Sequence, residues 1–209
     1  MMKKNIKNLI FDFGGVLYDI DIMKAVYEFK KIGIDLKEEK KNFPVILAEL
    51  ESGLISDDEF FDIVATMSNK PINKNLILDA FYSVLTGLNK ESYSYLLRFR
   101  KNYNLFLLSN TSALHYEKFH EEILSNPETV EFYNSFIKEY YSYQLKLRKP
   151  DIKIFDYVIK DSGVNPAETV FIDDNPENVE GAIKAGLNGF VFGKETKWDE
   201  FIKTFDLIL

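Results

Sequence analysis

Three short apolar runs in the sequence each end in a polar residue that can do chemistry. Asp12 follows LIF, Ser109 follows LFLL, and Asp173 with Asp174 follows TVFI, while Lys149 stands in the polar stretch RKPD. Carboxylates bind Mg²⁺, a hydroxyl and an ammonium hold a phosphoryl group, and an aspartate can attack phosphorus. This combination is typical of metal-dependent phosphoryl chemistry.

Each of these residues also has an ordinary explanation when it stands alone. Asp12 could be a solvated acid in a strand-to-loop turn, Ser109 a helix cap, and Lys149 a surface lysine. The pair Asp173-Asp174 could cap the next helix. Two adjacent acids at the end of an apolar strand repel each other, however, and this repulsion favours a cation. Taken together, the four features favour one shared site.

Strands that alternate with helices position these residues. The predicted strands are short apolar or amphipathic runs, the third of them an edge strand: Leu9–Phe11, Leu105–Leu108, Phe136–Tyr143, Thr169–Ile172 and Gly189–Phe192. This order predicts an α/β fold with a mainly parallel sheet. Because the carboxyl ends of parallel strands emerge at one edge, we expect Asp12, Ser109 and the acid pair to converge there. Lys149 is expected to join them from the start of a helix.

A long helical segment separates the first two predicted strands. Ser56 and Glu59 form a capping box at the start of one of its helices, and Leu76–Leu85 is predicted as another helix. A single crossover needs far fewer residues than this segment contains. Residues 19–85 are therefore predicted to be a helical insertion, and residues 1–18 and 86–209 to form the core.

Composition and charge exclude several other classes of protein. The 209 residues carry a formal charge of −7 without a long basic run, so nucleic acid and anionic membrane surfaces are not expected as partners. An acidic protein that binds an anionic substrate needs a local cation, which again favours a metal. There is no cysteine, which excludes disulfides and thiolate sites, and we expect the two histidines, His115 and His120, to be structural or surface residues.

The expected setting of the protein follows from the apolar pattern. No apolar stretch approaches the roughly 18 residues that span a bilayer. The basic N-terminal stretch MMKKNIKN lacks the apolar segment of a signal peptide. A cytoplasmic protein, either a monomer or a weak homodimer, is the expectation.

The motifs resemble those of the haloacid-dehalogenase-type (HAD) hydrolase superfamily, which is dominated by Mg²⁺-dependent phosphatases. Four motifs appear in the family's order and span nearly the whole chain. The stretches FDFGGVLYDID, LLSNT, RKPD and FIDDNPENVEGA are similar to a bacterial subgroup that acts on sugar phosphates and includes α-glucose-1-phosphate phosphatases. The resemblance implies a Rossmann-like three-layer core with a small helical cap, formed by the insertion, over the site.

The resemblance also implies a role for each motif residue. Asp12 matches the nucleophile, Ser109 with Asn110 matches the second motif, and Lys149 matches the third. Asp173 and Asp174 match the acid pair that binds the metal. Mg²⁺ would be held by Asp12, the Gly14 carbonyl and Asp174, with Asp173 as a ligand or in the second shell, while Ser109, the Asn110 amide and Lys149 would bind the phosphoryl oxygens.

The sequence departs from the family pattern at Gly14. Most members carry a second aspartate at this position, which serves as general acid and base and is worth about 10²–10⁴-fold in such reactions. Because the metal takes only the backbone carbonyl here, Gly14 can still act as a ligand. Asp19, Asp21 or a water molecule could supply the proton instead, and a weakly basic leaving group would need it less.

Three functions are compatible with these residues. The first is a Mg²⁺-dependent phosphatase for a small phosphorylated metabolite, with sugar phosphates as first candidates. The second is a metal-independent 2-haloacid dehalogenase of the same fold, which would also lack the second aspartate but would not need the pair Asp173-Asp174. The third is a catalytically degenerate binding module, which only Gly14 favours.

Substrate choice is expected to depend on the insertion. The stretch ELESGLIS, residues 49–56, combines acids with a flexible Gly53 just before a capped helix. Glu49 or Glu51 could accept hydrogen bonds from sugar hydroxyls if this loop reaches the site, and Glu51 is our candidate. The alternative is an ordinary turn between two helices.

Overall fold

A five-stranded parallel sheet lies at the centre of the computed structural model, which describes residues 5–39, 41–193 and 195–209. The first four residues of the predicted core and of the stretch MMKKNIKN lie outside the described residues. The strands are β1 (Asn8–Phe11), β2 (Tyr18–Ile20), β3 (Leu85–Leu88), β4 (Asn104–Ser109), β5 (Lys138–Tyr141), β6 (Thr169–Asp173) and β7 (Asn188–Val191). In the large sheet their order is β5-β4-β1-β6-β7, which confirms the predicted α/β class and places β5 at an edge.

The register of the sheet fixes where the polar strand ends lie. Phe11 of β1 pairs with Leu107 of β4 on one side and with Ile172 of β6 on the other. The residues that follow these partners are therefore neighbours at the carboxyl edge of the sheet. The strand β4 continues to Ser109 and β6 to Asp173, one residue further than predicted in each case.

Helices cover both faces of this sheet. The helices of the described residues, of which α1–α4 belong to the insertion, are α1 (Ile22–Lys31), α2 (Asn42–Glu51), α3 (Asp57–Thr66), α4 (Lys74–Tyr82), α5 (Lys90–Phe99), α6 (Ala113–Ser125), α7 (Ser142–Leu145), α8 (Ile152–Ser162), α9 (Pro176–Lys184) and α10 (Trp198–Phe205). Phe11 packs with Phe99 and Trp198 on one face, and Ile10 packs with Phe155 and Ala182 on the other. Because successive strand residues point to opposite faces, β1 is buried on both, as the three-layer prediction requires. None of the helices in the described ranges is long and apolar enough to cross a membrane.

The four helices α1–α4 form the insertion and share an apolar cluster in which Phe29, Phe43, Phe60 and Phe81 are buried and to which Leu114 of α6 also belongs. The predicted capping box is present at the start of α3. The chain leaves the core through β2 and returns through β3, and these two strands pair with each other in antiparallel fashion. The last predicted helix of the insertion therefore ends at Tyr82 instead of Leu85, since Leu85 pairs with Ile20. The bounds 19–85 for a separate unit stay a prediction.

The helix α10 packs on the core with a buried tryptophan at its start, and this residue gives a test of the packing. Trp198 is 2% exposed, its indole N–H donates to the Ser92 hydroxyl at 3.2 Å, and its ring centroid lies 4.2 Å from that of Phe192. We expect Trp198→Ala to lower the free energy of unfolding by about 3–5 kcal/mol, because a large cavity would open in the core. Urea denaturation measures this loss, and Trp198→Phe, which keeps most of the apolar contact, should lose clearly less. Equal losses in the two variants would contradict this account.

Candidate active site

Lys149 is the centre of the site, because its ammonium group connects three strand ends. Its Nζ donates to Asp12 Oδ1 at 2.6 Å, to Asp173 Oδ2 at 2.7 Å and to the Leu108 carbonyl at 2.9 Å. The residue is 1% exposed, so all three donors are used inside the protein. The predicted convergence of residues from β1, β4 and β6 is thus present in the structure.

The side chain of Asn110 holds the backbone of Lys149 in place. Lys149 N–H donates to Asn110 Oδ1 at 3.0 Å, and Asn110 Nδ2 donates to the Lys149 carbonyl at 3.0 Å. The side-chain amide of Asn110, which the sequence predicts to lie near the substrate, is therefore bound to the backbone of Lys149. The backbone N–H of Asn110 makes no hydrogen bond within the described ranges, and it is this group that remains available for a ligand.

Asp173 is fully buried and already saturated with hydrogen bonds. Besides Lys149, it accepts from the Asn175 N–H at 2.8 Å and from Asn178 Nδ2 at 3.1 Å to each oxygen. These contacts fit a residue that positions Lys149 better than a direct metal ligand. Sequence reasoning gave Asn178 no role, although an asparagine five residues after the acid, in the first turn of α9, was a readable signal.

Asp174 lies against a glycine at the mouth of the site. Gly15 has φ +81°, and a Cβ built on it would collide with Asp174 Oδ2. Only glycine combines this backbone conformation with so close an approach. Carboxylate oxygens of Asp12, Asp173 and Asp174 all lie within 4.8 Å of one another.

This group of three acids and one ammonium carries an excess of negative charge. Burial, and then the charge of Asp173, raise the pKa of Asp12 to about 7, although Lys149 opposes the shift. Burial and Asp173 likewise raise the pKa of Asp174. Burial alone would lower the pKa of Lys149, but the carboxylates of Asp12 and Asp173 raise it, so its ammonium stays charged. A cation bound beside the acids would relieve their repulsion.

The donor atoms at this place fit Mg²⁺. The ion prefers hard oxygen ligands and few protein side chains, and Asp12, Asp174 and the Gly14 carbonyl offer oxygens of this kind. The Gly14 carbonyl accepts no hydrogen bond from the described part of the chain, so it is free to bind an ion. A glycine is compatible with this task because only the backbone is used.

A cavity of about 290 Å³ lies beside the acid group; the three acids and Lys149 are not part of its lining, but Gly14, two residues after Asp12, is. Gly14, Ser109 and Asn110 line its floor, and Glu51 and His115 line its wall. The Ser109 hydroxyl has no hydrogen-bond partner in the described ranges, and neither has the Gly14 N–H. The floor therefore presents unpaired donors beside the carboxylates, an arrangement that suits an anion such as a phosphoryl group.

Glu51 reaches the cavity from the end of α2. Its Oε2 accepts from Arg148 Nε at 3.0 Å, and burial raises its pKa. The loop is fixed to the core, since the Ser142 hydroxyl donates to the Glu51 carbonyl and Gly53 lies against the Tyr143 carbonyl. Residues 49–51 of this segment end α2 and residues 52–56 form the turn to α3, and the end of α2 brings Glu51 to the cavity wall, whereas Glu49 is not part of that wall.

His115 has a more specific place than the sequence indicated. It lines the cavity, stacks on Phe81 with ring centroids 3.8 Å apart, and has Nε2 3.0 Å from the Phe81 carbonyl. Burial lowers its pKa to about 4, so the ring is neutral, and the carbonyl requires the proton on Nε2. Nδ1 is then an acceptor. His120 instead packs against Tyr116 and Tyr133 away from the cavity.

The two acids proposed to replace the missing proton donor have other partners. Asp21 caps α1 by accepting from the Lys24 N–H at 2.9 Å, and Asp19 accepts from Asn89 Nδ2 at 2.8 Å. Both are exposed, and neither lines the cavity. Of the sources named from the sequence, water fits the observed geometry best.

The raised pKa values make metal binding depend on pH. A protonated carboxylate must lose its proton before it binds the ion, so Mg²⁺ affinity should increase with pH through the range in which Asp12 titrates. With a pKa of about 7 for Asp12, we expect the Kd for Mg²⁺ to fall roughly tenfold between about pH 6 and about pH 8. Isothermal titration calorimetry measures it. The Asp12→Asn variant should show a flatter dependence, and a Kd that does not vary with pH in the wild type would contradict this account.

Comparison with known proteins gives a consistent result. Residues 6–186 match the family model of the haloacid dehalogenase-like hydrolases. The D-ribitol-5-phosphate phosphatase of Bacteroides thetaiotaomicron is 36% identical over 189 residues, which cover 88% of this chain and 91% of that protein. A HAD family enzyme from the same organism, in complex with magnesium and inorganic phosphate, superimposes with a TM-score of 0.84 at 34% identity, covering 94% of this chain and 98% of that one.

A more distant structure shares only the fold. The L-2-haloacid dehalogenase of Xanthobacter autotrophicus with chloropropionic acid covalently bound gives a TM-score of 0.64 at 19% identity, over 96% of this chain and 83% of that one. The family model covers most of the chain and the first relative aligns over nearly its whole length. This chain belongs to the haloacid dehalogenase-like hydrolases.

Proposed function

We propose that this hydrolase is a Mg²⁺-dependent phosphatase that acts on a small phosphorylated metabolite through an aspartyl-phosphate. The observation that carries the proposal is the group of Asp12, Asp173 and Asp174 around the buried Lys149, next to a cavity whose lining presents unpaired donors. Carboxylates for a divalent cation and donors for phosphoryl oxygens occur together at this one place. The relatives that bind magnesium and phosphate support the same chemistry.

In the first step Asp12 attacks the phosphorus atom. Lys149 holds Asp12 Oδ1, and no side chain of the described residues donates to Oδ2, so one oxygen is oriented while the other can react. A new bond forms from the carboxylate oxygen to phosphorus, and the bond from phosphorus to the ester oxygen breaks. The alcohol leaves and takes a proton from water, because Gly14 supplies none.

The phosphoryl oxygens need donors throughout the reaction. The Ser109 hydroxyl and the backbone N–H groups of Gly14 and Asn110 are placed to donate to them. Bound Mg²⁺ would neutralise charge on the transferring group, held by Asp12, Asp174 and the Gly14 carbonyl. Preorganised donors of this kind are worth most when charge develops in a site that excludes water.

In the second step water attacks the aspartyl-phosphate. The phosphorus–oxygen bond to Asp12 breaks, inorganic phosphate is released, and the carboxylate returns to its hydrogen bond with Lys149. Asp173, fixed by Asn178, keeps Lys149 in position during both steps.

Sugar and polyol phosphates are the first candidate substrates. The ribitol phosphate phosphatase of Bacteroides supports this choice, and Glu51 and the unprotonated Nδ1 of His115 offer acceptors for hydroxyl groups on the cavity wall. The insertion α1–α4 acts in this proposal as the cap that covers the substrate and selects it.

The remaining expectations belong to the same proposal. A net charge of −7 supports a small-molecule substrate and not a nucleic acid or a membrane surface. A cytoplasmic location and a monomer or weak homodimer stay predictions. The dehalogenase alternative is not favoured, because it gives no use for the two adjacent acids Asp173 and Asp174.

The role of Asp12 is tested by Asp12→Asn. The change keeps the shape of the side chain but removes the nucleophile, so we expect turnover of any phosphate monoester to fall at least about 10³-fold. Phosphate release with saturating Mg²⁺ measures the loss, and circular dichroism serves as the control for folding. Wild-type activity should also disappear with excess chelator. Activity retained by the folded variant would remove the nucleophile assignment.

The role of Glu51 is tested by Glu51→Ala, with Glu49→Ala as a matched control two residues earlier in α2. If Glu51 accepts a hydrogen bond from the substrate, its loss should raise KM for D-ribitol 5-phosphate or a hexose phosphate about tenfold. The KM for 4-nitrophenyl phosphate, which has no hydroxyl to offer, should change much less. Equal effects on both esters, or equal effects of the two substitutions, would place recognition elsewhere.

A further inference from the structure

The part of the cavity away from the phosphate site is strongly apolar. Val26 and Phe29 of α1, Phe43 and Leu47 of α2, and Phe81 of α4 all face it. We call this part, formed by those five residues, the apolar chamber. Apolar walls stabilise a ligand in proportion to the apolar surface that it removes from water. The chamber therefore favours carbon–hydrogen surface over hydroxyl groups.

Polar groups on the cavity wall are mostly engaged within the protein. Glu51 accepts from Arg148 through Oε2, and His115 donates through Nε2 to the Phe81 carbonyl, so one oxygen of Glu51 and Nδ1 of His115 are what these two side chains still offer as acceptors. The amide of Asn110 is bound to Lys149. A polyol carries one hydroxyl on each carbon, and each buried hydroxyl without a partner costs binding free energy. Few such partners remain here for a fully hydroxylated chain.

The apolar lining also continues to the surface. Ile22 lines the cavity and is 64% exposed, and Ile20, which lines it as well, is 37% exposed. Ile22, Val26 and Phe29 follow one another along a single face of α1, because residues three and four apart are neighbours on a helix. An apolar path thus leads from solvent along α1 into the chamber.

The size of the cavity limits what it can hold. Its volume of about 290 Å³ corresponds to roughly ten molecules of water at about 30 Å³ each. A ligand portion of about five to ten non-hydrogen atoms therefore fits above the phosphate site.

From these observations we propose a second substrate class for the site: phosphate monoesters of apolar alcohols with about five to ten carbons. The proposal rests on the proposed phosphatase function and uses the same chemistry, since Asp12 attacks phosphorus, the ester bond to the alcohol breaks, and water supplies the proton of the leaving alcohol. The alkyl portion lies in the apolar chamber, where a sugar would place its carbon skeleton.

A matched pair of substrates tests this proposal. n-Pentyl phosphate and D-ribitol 5-phosphate have the same number of carbons and both release a primary alcohol, so they differ in the hydroxyl groups of the chain. With the Mg²⁺-loaded full-length protein, we expect kcat/KM for n-pentyl phosphate to equal or exceed that for D-ribitol 5-phosphate. A lower value for n-pentyl phosphate, with the polyol ester still hydrolysed, would overturn this proposal and leave the phosphatase function standing. If n-pentyl phosphate, D-ribitol 5-phosphate and 4-nitrophenyl phosphate are all left unhydrolysed, both this proposal and the phosphatase function are overturned.

A pair of variants tests whether the apolar chamber causes the preference for n-pentyl phosphate. Val26→Thr replaces one methyl group of the wall by a hydroxyl with nearly the same shape. It should lower the ratio of kcat/KM for n-pentyl phosphate to kcat/KM for D-ribitol 5-phosphate about threefold or more. Val45→Thr makes the same change on the exposed side of α2, at a residue that is 57% exposed and does not line the cavity, and should leave the ratio unchanged. An unchanged ratio in folded Val26→Thr would also overturn the proposal.

Discussion

The contact between the Lys149 ammonium and the carboxylates of Asp12 and Asp173 is the interaction on which the site depends. Both ion pairs are buried, with N–O distances of 2.6 and 2.7 Å, and removing charged groups from water costs several kcal/mol for each ion. The cost is offset by further hydrogen bonds: the Leu108 carbonyl accepts from the third donor of the ammonium, and Asn175 and Asn178 donate to the carboxylate of Asp173. The strand register and the loop conformations must therefore bring these side chains within hydrogen-bonding distance of one another.

The same interaction explains why a metal belongs at this place. One ammonium cannot neutralise Asp12, Asp173 and Asp174 together, and burial, followed by the charge of Asp173, raises the pKa values of Asp12 and Asp174. A divalent cation supplies the missing charge and at the same time needs oxygen ligands, which this edge of the sheet offers. Gly15 takes part indirectly, because its missing side chain lets Asp174 approach the loop after β1.

Two parts of the molecule divide the work of binding. In the proposed function, the loops after β1 and β4, with Lys149, present the groups that suit phosphate and metal, while α1 and α2 supply the walls that would meet the alcohol. The turn after Glu51 joins these parts, since Ser142 accepts from the Thr111 N–H at 2.9 Å and donates to the Glu51 carbonyl. The position of α2, and so of the chamber, is thus tied to the loop that follows β4. Substitutions in the helical walls could therefore change the choice of substrate without changing the catalytic groups.

The amino-acid sequence by itself determined the local parts of this protein. Apolar runs ending in Asp12, Ser109 and Asp173 fixed the strands and the edge at which polar groups meet, and the capping box at Ser56 fixed the start of α3. These features could be predicted because each depends on residues close together in the chain. The family motifs likewise marked the residues that now surround Lys149, and the match with haloacid dehalogenase-like hydrolases agrees with them.

Only the tertiary structure decided the features that join distant segments. The pairing of Ile20 with Leu85, the use of Asn110 to hold Lys149 and the place of His115 on Phe81 are examples. No periodicity or spacing specifies them, because polar side chains choose partners by geometry after folding and not by distance along the chain. The apolar chamber is of the same kind: its residues read in the sequence as ordinary helix core, and the packing of α1 and α2 above the strand ends leaves them facing a cavity.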